Sequence, residues 1–322
     1  MKIIKSYSKT GGTLLAALTV ALAVCAVSCN TDKIYEEEQY KNLVYLLSGS
    51  ENVYTESYTL NETESVRYFS IGVGGSLSNP EEITVTLEPD RVLLDQYNKS
   101  NFDIKVASYA KVLPADRYEI ASYTVTIPAN NADQYVKVPV KVKPLGLSPD
   151  SIYFIPLAIK SVSRYGVNET KYNLLYRVTI ENDYAKQKTT TYYTKKGSVK
   201  NQSNNSETTL SGSKIVQPLT EDKVRFFVGN YSQGQTTTIA DIERYAVTVQ
   251  IKSDNALEFA SYGTIDVEKL SADNYNIYVE ELQGTKTYRR LYLYYRYRIR
   301  NTDGTYGTWM EVKETLTRVE ED

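Results

Sequence analysis

Aromatic and charged side chains near the carboxyl end of this 322-residue chain are the group best suited to binding a ligand. Trp309 is the only tryptophan, and a flat ring of this kind can stack against the C–H face of a sugar while polar neighbours bind its hydroxyl groups. The Asp303-Gly304 dipeptide predicts a tight hairpin turn that brings two strands together beside it. The candidate glycan-binding face on this hairpin consists of Trp309, Tyr306, Tyr294, Tyr292, Arg298 and Glu311.

The hairpin register follows from the turn. If Thr302 pairs with Thr305, Trp309 lies opposite Arg298 and both point outward. The other predicted pairs are Tyr297 with Met310, Tyr295 with Val312, Leu291 with Leu316, Arg296 with Glu311, Tyr294 with Lys313 and Leu293 with Glu314. Two structural roles for Trp309 stand beside the binding role: a cation–π contact with Arg298, or burial of this face against another domain.

The chain contains no histidine, which excludes Ser-His-Asp and Cys-His catalysis and histidine zinc sites. The sequence also has no EF-hand loop, phosphate-binding loop or dinucleotide fingerprint, and its net charge of −2 argues against a nucleic-acid surface. We therefore expect a non-enzymatic protein with no catalytic residues, metal, cofactor or nucleic-acid partner. Composition alone leaves room for a glycosidase, because that chemistry needs only two carboxylates.

The amino-terminal segment has the pattern of a bacterial export signal. Three early lysines precede an uncharged, largely apolar run from Leu14 to Val27, which is too short for a membrane-spanning helix. The run ends in Ala26-Val27-Ser28-Cys29, which resembles a lipoprotein processing site; an ordinary secretory peptide is the alternative. We predict a signal peptide over residues 1–28 and acylation of Cys29, which would anchor the protein in outer-membrane lipid.

Residues 29–41 are polar and lack strand alternation, so they predict a flexible tether. Its acidic triplet, Glu36 to Glu38, resembles the signal that sends Bacteroidetes lipoproteins to the exterior face of the outer membrane. Cleavage before Cys29 would remove three of the 37 basic residues and none of the 39 acidic ones, which leaves a net charge of −5. We expect a lipid-anchored protein that faces the cell exterior.

Hydrophobic and polar residues alternate along most of the chain from Leu43 onward, as in antiparallel strands with one buried face. Clear examples are Ile83, Val85 and Leu87, then Val136, Val138, Val140 and Val142, then Leu174, Tyr176, Val178 and Ile180. The pattern predicts an all-β protein with an immunoglobulin-like β-sandwich over residues 42–183 and a second antiparallel β domain over residues 184–322. The second domain could be either a barrel or a sandwich.

Two segments of the first domain depart from simple alternation. Ile152–Ala158 is apolar on both faces and predicts a central strand, in which Pro156 requires a bulge or an edge position. Asp90–Tyr97 predicts a helix with one apolar side, formed by Val92, Leu93 and Tyr97.

The second domain begins with polar sequence. Lys195–Glu207 is rich in Lys, Ser and Asn and predicts a mobile loop. The strands predicted after it are Lys223–Val228, Tyr245–Ile251, Tyr275–Val279 and Tyr288–Arg300.

Four segments carry a resemblance to a known family: Tyr40–Leu46, Leu113–Tyr118, Tyr123–Ile127 and Tyr153–Leu157. Together they resemble a Bacteroidetes lipoprotein domain of unknown function that occurs in polysaccharide-utilisation loci and at the amino terminus of some endo-β-N-acetylglucosaminidases. The second half of the chain is similar to the carboxyl-terminal domain that often follows it.

The resemblance implies a non-catalytic surface lipoprotein that binds a polysaccharide or oligosaccharide beside an outer-membrane glycan importer. It supplies no binding residues. The repeated-aspartate strand motif of the related endo-glycosidases is missing, since Thr264–Glu268 does not match it. The alternative is a structural or adhesion subunit of the fimbrial kind, for which the short, charged tail Leu316–Asp322 is poorly suited as an exchangeable strand.

Overall fold

The computed structural model describes residues 41–75, 77–234 and 236–321. The predicted signal peptide, Cys29 and all but the last residue of the predicted tether lie outside the described residues. Within the described part of the chain, no helix has the length and apolar character needed to span a bilayer.

The first half of the chain forms eleven strands that pack as two sheets. The strands are β1 (Leu43–Leu46), β2 (Val53–Thr59), β3 (Ser65–Val73), β4 (Ile83–Pro89), β5 (Lys111–Val112), β6 (Tyr118–Glu119), β7 (Thr124–Ile127), β8 (Tyr135–Val142), β9 (Tyr153–Val162), β10 (Gly166–Val167) and β11 (Asn173–Glu181). One sheet has the order β10-β1-β3-β8-β6, and the other has the order β2-β11-β9-β4-β7 with β5 beside β9. The pairs β1/β10, β2/β11 and β5/β9 are parallel, and the remaining pairs are antiparallel.

The core between these sheets is apolar, as the alternation predicts. Ile83, Val85 and Leu87 are buried and alternate with more exposed residues along β4. The main polar feature of this core is a hydrogen bond between the hydroxyl groups of Tyr58 and Tyr176, whose oxygen atoms lie 2.7 Å apart. Residues from both sheets pack together in this core. The two facing sheets confirm the predicted immunoglobulin-like β-sandwich.

The helices differ from the prediction in length and number. Helix α1 (Arg91–Phe102) extends beyond Tyr97, and Asp90 caps its amino end by accepting a hydrogen bond from the Val92 backbone N–H at 3.0 Å. Val92 is 64% exposed, so the predicted apolar side is wrong at that residue, and Leu94 is buried instead. The other helical segments are α2 (Ile239–Tyr245), which was not predicted, and the 3-10 turns Ser50–Asn52, Val106–Ser108 and Ala115–Arg117.

Strand β9 is central, as predicted, since it lies between β11 and β4. Its bulge lies at Lys160, where the pairing with β4 skips one residue, and not at Pro156. Pro156 instead pairs with Leu175 and accepts a hydrogen bond from the Asp90 backbone N–H through its carbonyl group, at 3.1 Å. A proline fits inside this sheet because its missing N–H is not needed in that contact.

The second half of the chain forms one large sheet. Its strands are β12 (Thr191–Asn201), β13 (Glu207–Thr220), β14 (Lys223–Phe227), β15 (Ala246–Ile251), β16 (Leu257–Ser261), β17 (Asp266–Lys269), β18 (Ile277–Gln283), β19 (Lys286–Arg298) and β20 (Met310–Glu321). Their order is β16-β15-β14-β13-β12-β20-β19-β17, and β18 also pairs with β19. The sheet curls until its edges meet, where Lys269 Nζ on β17 lies 3.0 Å from Glu258 Oε1 on β16. The second domain is therefore a nearly closed barrel.

The predicted mobile loop over Lys195–Glu207 is wrong. Residues 191–201 form β12, and only residues 202–206 connect it to β13. Tyr193, Lys195 and Val199 point inward, and Lys195 Nζ donates hydrogen bonds to the Gly229 carbonyl oxygen and Asn230 Oδ1, each at 3.2 Å. A buried lysine at an inward position interrupts the apolar pattern that would otherwise identify the strand.

A buried ion pair lies inside the barrel. Lys214 Nζ is 2.7 Å from both carboxylate oxygens of Glu314, and the two side chains are 2% and 0% exposed. The hydroxyl group of Tyr295 donates a third hydrogen bond to Glu314, at 2.8 Å. These contacts explain why the predicted pair of Leu293 with Glu314 forms, with both side chains buried.

The two domains meet through charged and polar contacts. Arg225 in β14 is fully buried and pairs with Asp150, which precedes β9; its Nη1 lies 2.7 Å from Asp150 Oδ2. Asn182 follows β11 and donates hydrogen bonds to the carbonyl oxygens of Thr220 at 2.7 Å and Lys223 at 3.1 Å. These contacts join the sandwich to the β13–β14 side of the barrel.

Candidate functional site

The hairpin of β19 and β20 carries the predicted face. All of the strand pairs predicted from Tyr297–Met310 down to Leu291–Leu316 are present. The tip differs: the Asn301 backbone N–H donates to the Thr305 carbonyl oxygen at 2.7 Å, so the loop has three residues rather than two. Gly304, at φ 87°, occupies the left-handed position that such a loop requires.

Trp309 lies half-buried between two arginines of β19. The guanidinium carbon of Arg296 is 4.3 Å from the centre of the Trp309 ring, and that of Arg298 is 4.5 Å away. Arg298 also lies 4.6 Å from the centre of the Tyr306 ring, and Tyr306 is 41% exposed. The cation–π contact that formed one structural alternative is therefore present, and it holds the indole ring in a fixed position.

Each arginine is paired with an acid on β17. Arg298 Nε donates to Asp266 Oδ2 at 2.8 Å, and Arg296 Nε donates to Glu268 Oε2 at 2.7 Å. The guanidinium groups are thus fixed on one side by carboxylates and on the other by aromatic rings. Pairing of this kind leaves a preorganised surface whose charges are largely balanced.

Glu311 and Tyr294 extend the face along the sheet. The Tyr294 hydroxyl group donates to Glu311 Oε1 at 2.8 Å, and Gln202 Nε2 donates to Glu311 Oε2 at 3.2 Å. The hydrogen bond from Tyr294, followed by that from Gln202, lowers the pKa of Glu311, so this carboxylate stays ionised. Lys313 Nζ lies 4.6 Å from the centre of the Tyr294 ring. We call the set of Tyr294, Arg296, Arg298, Tyr306, Trp309 and Glu311 the Trp309 face.

A shallow cavity adjoins the Tyr294 end of the Trp309 face. Residues 270–276 connect β17 to β18 and do not pair with β19 as a strand. Asn276 Oδ1 in this connection accepts a hydrogen bond from the Tyr294 backbone N–H at 2.9 Å. The ring of Tyr275 packs 5.9 Å from that of Tyr294. The cavity has a volume of about 310 Å³ and is lined by Lys269, Ser271, Ala272, Asp273, Tyr275 and Asn276.

Five of the six predicted residues form one continuous surface: Trp309, Tyr306, Arg298, Tyr294 and Glu311. Tyr292 lies two positions before Tyr294 on β19, farther from Trp309, and pairs with Thr315 and Ile277. Sequence reasoning predicted Lys313 opposite Tyr294, but it missed the partners Asp266, Glu268, Gln202 and Tyr275. The alternation of Asp266 and Glu268 around Val267 was the available signal, because two acids on one strand face can pair with two arginines on the next.

Among the described residues (41–75, 77–234 and 236–321), no three His, Cys, Asp or Glu side chains converge closely enough to hold a metal ion. The Trp309 face presents an aromatic ring framed by hydrogen-bond donors and acceptors, a combination typical of small-molecule binding sites.

Comparison with known families covers nearly the whole described chain. A family model described as an N-terminal domain matches residues 39–166, and its C-terminal counterpart matches residues 172–317. The chain belongs to this two-domain family. The family resemblance predicted from the sequence is thereby confirmed. No curated protein matches the chain.

Solved structures of Bacteroides proteins share the fold. A Bacteroides ovatus protein of unknown function has a TM-score of 0.69 and 17% identity, over 86% of this chain and 94% of its own. A second from the same organism has a TM-score of 0.62 and 17% identity, over 91% and 94%. An auxiliary nutrient binding protein of Bacteroides thetaiotaomicron has a TM-score of 0.60 and 15% identity, over 84% and 92%. At these identities the likeness establishes the fold alone.

Proposed function

We propose that this protein is a non-catalytic lipoprotein of the cell surface that binds a polysaccharide or oligosaccharide through the Trp309 face. The observation that carries the proposal is the position of Trp309, half-buried and outward, between Arg296 and Arg298. In this proposal, the part of the indole ring that stays exposed receives the apolar face of a sugar, and the arginines and Glu311 supply donors and an acceptor around it. This combination matches the alternating C–H and hydroxyl surfaces of a sugar.

The family context supports a role in nutrient capture. One protein with the same fold is an auxiliary nutrient binding protein. A surface protein that holds glycan would act beside an outer-membrane importer, as the sequence resemblance implies. The sandwich would then serve as a spacer that carries the barrel away from the membrane.

The ionisation of Glu311 suits a role in binding. Hydrogen bonds from Tyr294 and Gln202 lower the pKa of Glu311, so its carboxylate remains charged. A charged carboxylate can act as a hydrogen-bond acceptor for sugar hydroxyl groups.

The position of β20 weighs against the fimbrial alternative. This strand pairs with β12 on one side and β19 on the other, and its Val312 and Leu316 are fully buried. An exchangeable strand must leave without dismantling its own domain. Removing β20 would split the barrel and expose its core.

Membrane attachment through Cys29 is part of the proposal. Acylation of this residue would place the tether and both domains at the outer-membrane surface. We expect the wild-type protein to fractionate with membranes and the Cys29→Ala variant to be released. A Cys29→Ala protein that stays with the membranes would refute lipid anchoring.

The binding proposal is tested with a soluble form that begins at residue 30. We expect one or more polysaccharides embedded in a native gel to retard this protein, and Trp309→Ala to abolish the retardation while circular dichroism shows an intact fold. Tyr68→Ala is the matched control, because Tyr68 is 47% exposed on β3 of the other domain. If the polysaccharide gel retarded Trp309→Ala as much as the wild-type protein, the Trp309 face would be excluded as the binding site.

A further inference from the structure

A second cavity lies between the two domains, beside the Arg225–Asp150 contact. It has a volume of about 180 Å³. Its walls come from the segment just before β9, from β11, from the connection between the domains and from β12 and β13. The lining residues are Pro149, Asp150, Ser151, Ile152, Arg177, Lys186, Gln187, Thr190, Thr191, Ile215, Val216 and Gln217. We call this cavity the interdomain cleft.

Cations without acidic partners surround the interdomain cleft. Arg177 and Lys186 line it directly. At the rim, Lys111 Nζ donates a hydrogen bond to Ser151 Oγ at 3.2 Å. Lys188 Nζ donates to the carbonyl oxygen of Thr55 at 2.8 Å, and Thr55 pairs with Arg177 between β2 and β11. None of these four side chains forms an ion pair with any residue in the described ranges, whereas most arginines on β19 are paired.

The central cation also has an unused donor. Arg177 is half-buried, and its Nε is fully buried without a hydrogen-bond partner in the described structure. A buried N–H that carries part of a positive charge is unfavourable unless an acceptor or an anion completes it. Because Nε itself has no exposed surface, a ligand in the cleft would contact Arg177 through the part of the side chain that lines the cleft, and it would supply the missing counter-charge.

The acids and amides of the cleft are already engaged. Asp150 is the only acid in the lining, and Arg225 neutralises it. Gln187 donates to the carbonyl oxygens of Pro149 at 2.9 Å and Ser151 at 3.3 Å and accepts from the Ile180 N–H at 3.0 Å. The lining thus leaves Arg177 and Lys186 with an uncompensated positive charge, in a protein whose net charge is negative.

We propose that the interdomain cleft binds an oxyanion, a carboxylate or sulfate group of the kind carried by acidic sugars. Arg177 would donate to the anion, Lys186 would supply the second positive charge, and Ile152 and Ile215 would face the apolar part of the ligand. The cleft is smaller than those that hold drug-sized molecules, which suits one charged sugar unit or a free oxyanion. The Trp309 face and the interdomain cleft are separate sites, so either proposal can fail alone.

The test compares D-galacturonate with D-galactose, which differ in a single carboxylate, and adds inorganic sulfate as a third probe. Titrations by calorimetry and by thermal melting are made at constant ionic strength, so that general screening does not imitate binding. We expect galacturonate to bind and to raise the melting temperature, and galactose to do neither. Binding of sulfate without galacturonate would support the oxyanion site and identify a free inorganic anion as its ligand.

Two charge-removing variants locate the site. Arg177→Gln and the more exposed Lys186→Gln should each weaken oxyanion binding at least tenfold, and Arg177→Lys should weaken it less than Arg177→Gln. Lys137→Gln is the matched control, because Lys137 is exposed on β8 in the other sheet and should leave the affinity unchanged.

Two results would overturn the proposal. The first is that the wild-type protein binds neither oxyanion. The second is that the Arg177→Gln and Lys186→Gln variants bind as well as the wild type. Loss of polysaccharide retention in Trp309→Ala reports only on the proposed function.

Discussion

The two domains of this protein fill their interiors in different ways. The sandwich closes over apolar side chains, and the polar atoms in its centre are the neutral hydroxyl groups of Tyr58 and Tyr176. The barrel encloses a charged pair, Lys214 with Glu314, which Tyr295 completes. The two facing sheets of the sandwich pack closely through apolar side chains. The single curled sheet of nine strands encloses a wider interior, which longer polar side chains fill.

This difference predicts different responses to substitution. Removing a neutral hydroxyl group costs one hydrogen bond, but removing one member of a buried ion pair leaves a charge without compensation. The single tryptophan lies in the barrel, so its fluorescence reports on that domain, while circular dichroism reports on both.

The largest effect is expected from Glu314→Ala. Lys214 would stay buried without its carboxylate, and the barrel should lose about 3–5 kcal/mol of unfolding free energy. Urea unfolding followed by Trp309 fluorescence measures the loss. The control is Glu321→Ala on the same strand, whose exposed pair with Lys286 is worth at most about 1 kcal/mol. Equal losses in the two variants would contradict a special role for the buried pair.

A smaller net change is expected when both charges are replaced together. Lys214→Met combined with Glu314→Leu removes the uncompensated charge and fills the same volume, so its stability should lie within about 2 kcal/mol of the wild type. The same fluorescence-monitored unfolding gives the comparison. If the double variant were as unstable as Glu314→Ala, the cost would come from packing or from the Tyr295 hydroxyl group, which loses Glu314 as its acceptor, and not from charge.

In the sandwich, Tyr176→Phe should cost only about 1 kcal/mol. The Tyr58 hydroxyl group would lose its tyrosine partner but keep the Val140 carbonyl oxygen, 3.2 Å away. Unfolding followed by circular dichroism measures this change, and Tyr172→Phe, at a 41% exposed residue, is the neutral control. A loss near that of Glu314→Ala would erase the contrast between the two interiors.

The smallest effect concerns pH at the Trp309 face. Because its folded pKa lies below the ordinary value of 4.5, Glu311 stabilises the protein above that pH, and the contribution is lost as pH falls through the folded pKa. Tyr294→Phe removes the main cause, so the pKa of Glu311 should rise toward 4.5. A carbon-detected NMR titration of the Glu311 carboxyl group follows it. An unchanged midpoint would mean that Gln202, Lys200 and Lys313 keep the pKa of Glu311 low without Tyr294.

The sequence predicted the sandwich better than the barrel for a physical reason. In β4 the inward residues are Ile83, Val85 and Leu87, so burial and hydrophobicity coincide. In β12 an inward position is a lysine, and the strand was mistaken for a loop because Lys195 is buried by hydrogen bonds and not by apolar character.

Helix α1 shows a second limit of sequence patterns. It continues past Tyr97 because Asn98, a polar residue, is buried and exchanges two hydrogen bonds with Ala110, at 3.0 and 2.8 Å. Phe102 then packs against Tyr97 with ring centres 6.2 Å apart. Neither contact follows from local periodicity, since both depend on residues brought close by the fold.

The candidate site shows the same division. The turn at Gly304 and the alternation around it predicted the strand register, and with it the neighbours of Trp309 along the hairpin. The acids that fix the two arginines come from β17, a separate strand whose position depends on how the sheet curls. The interdomain cleft could not be predicted, because its walls come from two domains.

The position of β20 also has a consequence for the order of assembly. This strand follows all of its sheet partners in the chain, yet it lies between β12 and β19 and so joins the β12–β16 part of the sheet to the β17–β19 part. During synthesis or export, the edge of β12 that pairs with β20 has no strand partner until β20 is available. The sandwich, in contrast, is complete once residue 181 is available. The barrel is therefore the domain more exposed to premature termination and to capture by chaperones.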